Sequence, residues 1–255
     1  MNIFWLLAVS LIINLTGFLI AYRFKSDKLT DFSYGATFFV LALVAFLKIT
    51  QRPYKLSKWI LLAMVGAWAA RLAGFLLLRI LKNKKDKRFD GVRENFWKFG
   101  QFWLFQGITV WIILMPTLLF FSNPGKMIGW LGYAGFIIWG FGLAVETVAD
   151  YQKFAFNAKA ANKGRWIASG LWRLSRHPNY FGEILNWVGI YLFTFDALNV
   201  NQRWTGVLSP LFIAFLLIFV TGIPKLEKYA DDKWGNDSNY QVYKKRTSIL
   251  IPLPK

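Results

Sequence analysis

Residues 3–22 read IFWLLAVSLIINLTGFLIAY, twenty positions without a charged side chain. At 1.5 Å per residue a helix of that length covers roughly 30 Å, one hydrocarbon thickness of a bilayer. Arg23, Lys25 and Lys28 follow at once, where a helix would leave the apolar layer. The same alternation continues. Apolar runs occupy 32–47, closed by Lys48, Arg52 and Pro53; 59–81, interrupted by Arg71 and Arg79; and 102–121, with Pro116 inside. Three more occupy 127–148, carrying Glu146; 181–195, carrying Glu183 and Asn186; and 207–223, ended by Pro224. Pro116 predicts a kink, which a membrane helix tolerates where neighbours re-satisfy the freed carbonyl. Seven runs predict an all-α, polytopic integral membrane protein with seven transmembrane helices. No internal repeat is evident, so one membrane domain is expected over 1–255.

Composition agrees. Of 255 residues 56% are hydrophobic, and 13 Trp and 10 Tyr suit helix ends at headgroup level. The net charge of +18 invites a nucleic-acid reading, but most of the Phe and Trp residues lie within the apolar runs and most of the bases in the loops between them. That distribution is positive-inside topology, and it sets nucleic acid aside as a partner. With no cysteine and one histidine, His177, thiol chemistry and a polyhistidine metal centre are excluded, and no metal is expected. The N-terminus lacks the basic region and cleavage site of a secretory signal, so the first run is expected to remain in the mature protein. The polar segments 82–101 and 149–180 and the C-terminal tail hold most of the bases. By the charge rule they face the cytoplasm, with the N-terminus outside.

Ionisable groups at membrane depth face a cavity or a partner. Here they are Arg71, Arg79, Glu146, Asp150 and Glu183. Snorkelling accounts for Arg79, near a helix end, but not for Arg71 in mid-run. Glu146 and Asp150, four apart, share a helix face, as do Glu183 and Asn186, three apart. Two acids on one face repel unless a cation, a donor-rich ligand or altered ionisation relieves them. A lined polar cavity and a structural ion pair with Arg71 are the two readings.

The segment Ser175-Arg176-His177-Pro178-Asn179-Tyr180-Phe181-Gly182-Glu183 resembles the C-terminal motif of the steroid 5-alpha-reductase superfamily. So does the tail Tyr240-x-x-Tyr243-x-x-Arg246-Thr247-Ser248 with Ile251-Pro252. A looser Arg-His-Pro-x-Tyr occurs in isoprenylcysteine carboxyl methyltransferases and phospholipid methyltransferases, which use S-adenosylmethionine. The resemblance is to about the last 125 residues, weaker over 68–90. It implies a seven-helix fold with NADPH between the later helices and the cytoplasmic loops. It further implies that residues 1–100 supply the substrate side and 101–255 the cofactor side. Carried over by position, the cofactor residues are Glu146, Asp150, Arg165, Asn179 and Glu183, with Arg71 matching an arginine of the third helix.

Steroid-active members carry a Gln-Glu pair in the second helix region and a tyrosine in the third. Run two lacks the pair, and the tyrosine position falls near Trp68. The enone's proton donor is therefore unassigned, Tyr34 and Tyr54 being available, and no catalytic residue is named.

Hydride transfer needs positioning and electrostatics, since the nicotinamide carries the chemistry. The phosphates of NADPH need bases, and Lys153, Lys159, Lys163, Arg165, Arg173 and Arg176 supply them, although positive-inside topology alone would also place them there. No Gly-x-Gly-x-x-Gly fingerprint indicates a Rossmann domain. His177 either caps the sixth helix against a loop carbonyl or touches cofactor phosphate or adenine. Tyr180 is a cofactor contact or an interface anchor. Tyr240, Tyr243 and Arg246 form a lid over the cofactor or anchor the tail at the membrane surface.

The expectation is an NADPH-dependent reductase of an activated carbon–carbon double bond in a lipid-like enone, such as a 3-oxo-delta-4 steroid, entering from the bilayer. The alternatives are an S-adenosylmethionine-dependent methyltransferase of a lipid or prenylated thiol, and a non-enzymatic membrane protein or transporter.

Overall fold

The computed structural model describes residues 3–26, 28–48, 56–83, 89–123 and 128–253. All regular structure in them is helical apart from one isolated bridge, Ser175 to Ser248. The α-helices are α1 (Phe4–Arg23), α2 (Lys28–Leu47), α3 (Leu56–Asn83), α4 (Phe96–Ile113), α5 (Met115–Ser122) and α6 (Trp130–Ala158). They continue with α7 (Pro178–Thr194), α8 (Val200–Gly206), α9 (Leu208–Phe215), α10 (Ile223–Trp234) and α11 (Ser238–Arg246). A π-helical turn, Leu216–Val220, follows α9.

The expectation of seven spans is corrected. Among the described residues four helical stretches are long and apolar enough to cross a membrane: Phe4–Arg23, Leu56–Phe75, Trp130–Ala158 and Val200–Trp234. A fifth is gained if α4 and α5, bent by 52° at their junction, count as one span. Leu114 breaks the helix there and Pro116 sits in the first turn of α5, where its missing N–H costs nothing. The other two runs fail on length and polarity. In α2 the apolar part, Phe32–Leu47, is too short. The 17 residues of α7 include Asn179, Glu183 and Asn186. An apolar run crosses the bilayer only where about 20 residues of it are continuous.

Membrane immersion is written on the helix surfaces. Ile12 on α1 is 65% exposed, Ile137 on α6 is 70% exposed and Phe219 is 68% exposed. In water such rows would form costly apolar patches; in a bilayer they face lipid tails. The chain is a multi-pass helical protein embedded in the bilayer.

Two compact units are resolved: residues 1–132 with 193–209, and 133–192 with 210–255. In the first, α1, α2 and α4 pack around Phe18, Phe99 and Trp103 and around a buried polar cluster. Ser10 Oγ donates to Gly107 O (2.8 Å), and Asn14 Nδ2 donates to Ser10 O (2.9 Å) and Thr37 Oγ1 (3.5 Å). Gln106 Nε2 donates to Asn14 Oδ1 (2.9 Å) and Ser33 Oγ (3.2 Å).

In the second unit α6 and α7 approach backbone to backbone. A Cβ placed on Gly182 would stand 2.7 Å from Glu146 N and 2.7 Å from Gly142 O, and one on Gly142 would stand 2.8 Å from Gly182 O. Small residues at a membrane helix crossing permit this approach. Gly135 and Gly142 on α6, and Gly182 and Gly189 on α7, each lie seven apart, two turns along one face.

Candidate functional site

The glycine crossing aligns the polar faces of α6 and α7. Asn186 Nδ2 donates to Glu146 Oε2 at 2.8 Å, and one turn along α6 and two along α7, Asn179 Nδ2 donates to Asp150 Oδ1 at 3.2 Å. Glu146 (3% exposed), Asp150 (8%) and Asn186 (0%) are buried. Asn186 Oδ1 is buried with no hydrogen-bond partner among the described residues. A buried, unsatisfied amide oxygen costs about 1–3 kcal/mol, so this face is not closed on itself. Glu183 lies between the two asparagines on the same face of α7, half-buried.

The loop from α6 to α7 folds onto α6 through Trp172. Its Nε1 donates to Ala149 O at 2.9 Å, and Lys153 Nζ stands 4.6 Å from its ring centroid. Gly170, at φ +60°, lets the chain turn tightly against Gln152, whose Oε1 accepts from Leu171 N. Lys159, Lys163, Arg165 and Arg173 are exposed along this loop.

The C-terminal segment closes on the same loop. Ser175 pairs with Ser248, Arg176 N donates to Ser248 O (2.8 Å) and Ser175 Oγ to Leu250 O (2.7 Å). Trp234 Nε1 donates to Gly164 O (2.6 Å) and Tyr243 OH to Trp172 O (2.8 Å). Trp166, Trp234, Tyr240 and Tyr243 pack ring against ring, at centroid distances of 5.3 Å for Trp166–Tyr240 and 5.9 Å for Trp234–Tyr240. Burial, with the charges of Glu227 and Asp231, pushes the Tyr240 phenol up to about 12. Burial also raises Tyr243. Both remain neutral donors at physiological pH.

Arg176 and His177 meet one acid, Glu227 of α10. His177 Nε2 lies 2.8 Å from Glu227 Oε1, and the Arg176 guanidinium makes contacts of 3.1 Å and 2.9 Å with the two carboxylate oxygens. The His177 ring stacks at 9° on Tyr180, centroids 5.6 Å apart, and its Nδ1 is buried without a partner among the described residues. Burial holds the imidazole below its usual range, the hydrogen bond and charge of Glu227 opposing and Lys153 and Arg176 adding to the lowering.

Eleven of the twelve site residues read from the sequence lie in this unit: Glu146, Asp150, Arg165, Arg176, His177, Asn179, Tyr180, Glu183, Tyr240, Tyr243 and Arg246. Arg71 lies on α3 in the other unit, its guanidinium 5.9 Å from the Phe75 ring centroid. Glu146–Asn186 and Asp150–Asn179 are brought into direct contact, whereas Arg165 and Arg246 point to the exterior. Tyr34, also in the other unit, packs edge-on against Phe38 at 5.0 Å. Tyr54 lies outside the described residues, as does the basic cluster at 84–88. Sequence reading missed Glu227, which looks like one acid of an amphipathic surface helix. It also left Asn186 out of the site, although its spacing from Glu183 was visible. Among the described residues no group of three or more His, Asp or Glu is placed to hold a metal ion.

Fold and surface thus define a polytopic helical membrane protein with a polar face between two of its helices. The chain belongs to the family described as proteins of unknown function (DUF1295), which matches residues 17–247. It is 23% identical over 214 residues to an uncharacterized protein of Schizosaccharomyces pombe, covering 72% of this chain and 60% of that one. Over 46 residues it is 44% identical to a probable O-methyltransferase of Ustilaginoidea virens, covering 18% of this chain and 16% of that one. The chain thus spans less than two thirds of the length of either relative. No solved structure matches it.

Proposed function

We propose that this chain is an NADPH-dependent membrane reductase of an activated carbon–carbon double bond in a lipid-like substrate. The observation that carries the reading is the α6–α7 face. Its two carboxylate–amide pairs offer acceptors and donors for ribose hydroxyls and a carboxamide, and one buried amide oxygen remains open. Beside it in the chain runs a loop whose exposed Lys159, Lys163, Arg165 and Arg173 are free to answer phosphates. The resemblance of 175–183 and 240–252 to the steroid 5-alpha-reductase superfamily supports the same cofactor. By the positive-inside rule this loop and the tail are read as facing the cytosol, where NADPH is drawn from; the resemblance to bacterial members of that superfamily suggests a bacterial inner membrane.

Methyl transfer from S-adenosylmethionine is the second reading. The similarity to a probable O-methyltransferase favours it, and no relative found carries a reductase in its name. Both cofactors contain adenosine, so the carboxylate pairs suit either. Phosphates distinguish them, because S-adenosylmethionine has none for the basic loop to bind.

Calorimetry of the detergent-purified chain with each cofactor decides. NADPH is expected to bind and S-adenosylmethionine not; the opposite result replaces reduction by methyl transfer.

A further inference from the structure

Glu227 of α10 contacts two consecutive residues of the 175–183 motif. Glu227 Oε1 accepts from Arg176 Nε at 3.1 Å and lies 2.8 Å from His177 Nε2, while Oε2 lies 2.9 Å from Arg176 Nη2. Arg176 Nη1 donates to the tail carbonyls of Lys244 (2.6 Å) and Thr247 (3.2 Å). A guanidinium has five donors, and four are spent on α10, α11 and the residue after it. Arg176 therefore staples the C-terminal segment to the motif and has little left for a ligand.

His177 is fixed by the same carboxylate. An ionised acceptor at Nε2 selects the tautomer with hydrogen on Nε2, which leaves Nδ1 as a lone-pair acceptor. That nitrogen is closed off from solvent and has no partner among the described residues. The segment carrying Glu227 is joined to α9 by a feature suited to bending: the π-helical turn Leu216–Val220, followed by Gly222 at φ −91° and ψ −96°. A Cβ on Gly222 would stand 2.8 Å from Tyr180 Cε2, so the bend seats directly on the motif.

We propose that Glu227 is a positioning residue that latches α10 and α11 onto residues 175–177 and holds His177 as the Nε2–H tautomer, presenting Nδ1 to a donor group of an incoming ligand. The donor is a hydroxyl or amino group of the kind an adenosine moiety carries; this last step rests on the cofactor reading above, the latch does not. Since Nδ1 is buried in the closed form, the ligand enters when α10 lifts at the bend at 216–222, and α10 closing again over it restores the Glu227 contact that holds the tautomer.

One histidine in the chain makes the test direct. With ring-15N histidine in the full-length protein in detergent, a single Nε2–H species is expected for the ligand-free wild type. In Glu227→Ala the two tautomers should mix, and cleavage of the segment 223–253 by added protease should quicken at least tenfold. Identical tautomer and protection in that variant overturns the proposal. Should Glu227→Ala not fold, Glu227→Gln serves: its amide oxygen keeps the tautomer, but without the anion the pH at which the ring titrates must fall, and no fall overturns the proposal. Added NADPH or S-adenosylmethionine should move the wild-type Nδ1 resonance. If neither does while the Glu227 effects hold, the adenosine step and the cofactor reading fall together and the latch stands.

Discussion

Two polar clusters are buried among membrane helices of this chain, and they are finished differently. In the α1–α2–α4 cluster every side-chain donor of Ser10, Asn14, Ser33, Thr37 and Gln106 has an acceptor. In the α6–α7 cluster two carboxylates meet two amides, and Asn186 Oδ1 is left over. The first has the character of glue, which in a bilayer rigidifies a helix crossing. The second keeps an open valence and ionisable groups, the pattern expected where something else must bind. Both appear as polar residues in apolar runs; the carboxylates mark the second, and the pairing shows which one is left open.

The largest effect should come from removing the close approach that builds the second cluster. Gly182→Ala sets a methyl 2.7 Å from the backbone of α6, which has no flexible side chain to yield. We expect a loss of about 3 kcal/mol, read as a lower melting temperature in detergent, together with loss of cofactor binding. An unchanged melt would mean that the two helices need no backbone contact, and the open pairing would lose its structural basis.

Next in size is a pair of substitutions that should have opposite signatures. Asn14→Leu removes the centre of the closed cluster and takes from Gln106 Nε2 one of its two acceptors. It should cost about 1 kcal/mol of stability and leave cofactor affinity unchanged. Asn179→Ala should do the reverse, with about tenfold weaker binding and a nearly unchanged melt of the ligand-free protein. If both variants lose stability alike, the α6–α7 cluster is glue as well.

How much of this was legible depends on the reach of each interaction. The first apolar run lies within one residue of α1, because twenty uncharged positions admit no other reading. The count of seven was not legible from runs alone: Phe32–Leu47 is apolar but short, and α7 is interrupted by the polar face that makes it interesting. Sharing of a face by Glu146 and Asp150 follows from helical spacing, but their amide partners come from α7, about 30 to 40 residues on. The seven-residue glycine spacing on both helices was the one local signal for that crossing. Glu227 left none. It approaches His177 from 50 residues away, and in KLEKYADDKW it is one acid among several.

The smallest effect concerns acid sensitivity, and it separates the latch from both clusters. Burial outweighs Glu227 at His177, so the folded imidazole titrates below its usual value of about 6.5. Between those two values the unfolded chain binds a proton that the folded chain refuses, so stability must fall as pH drops from about 6.5 and be unaffected above it. The effect involves at most one proton and reflects two opposing influences, hence its size. His177→Gln, which never gains the charge, should lose this part of the acid-side slope while keeping an amide donor for Glu227. Melting curves of the two proteins between pH 7.5 and 5, values chosen to bracket about 6.5, should coincide in slope at the upper end and diverge below. Parallel curves throughout would mean that His177 is as free to charge in the folded state as in the unfolded one, which a buried ring is not.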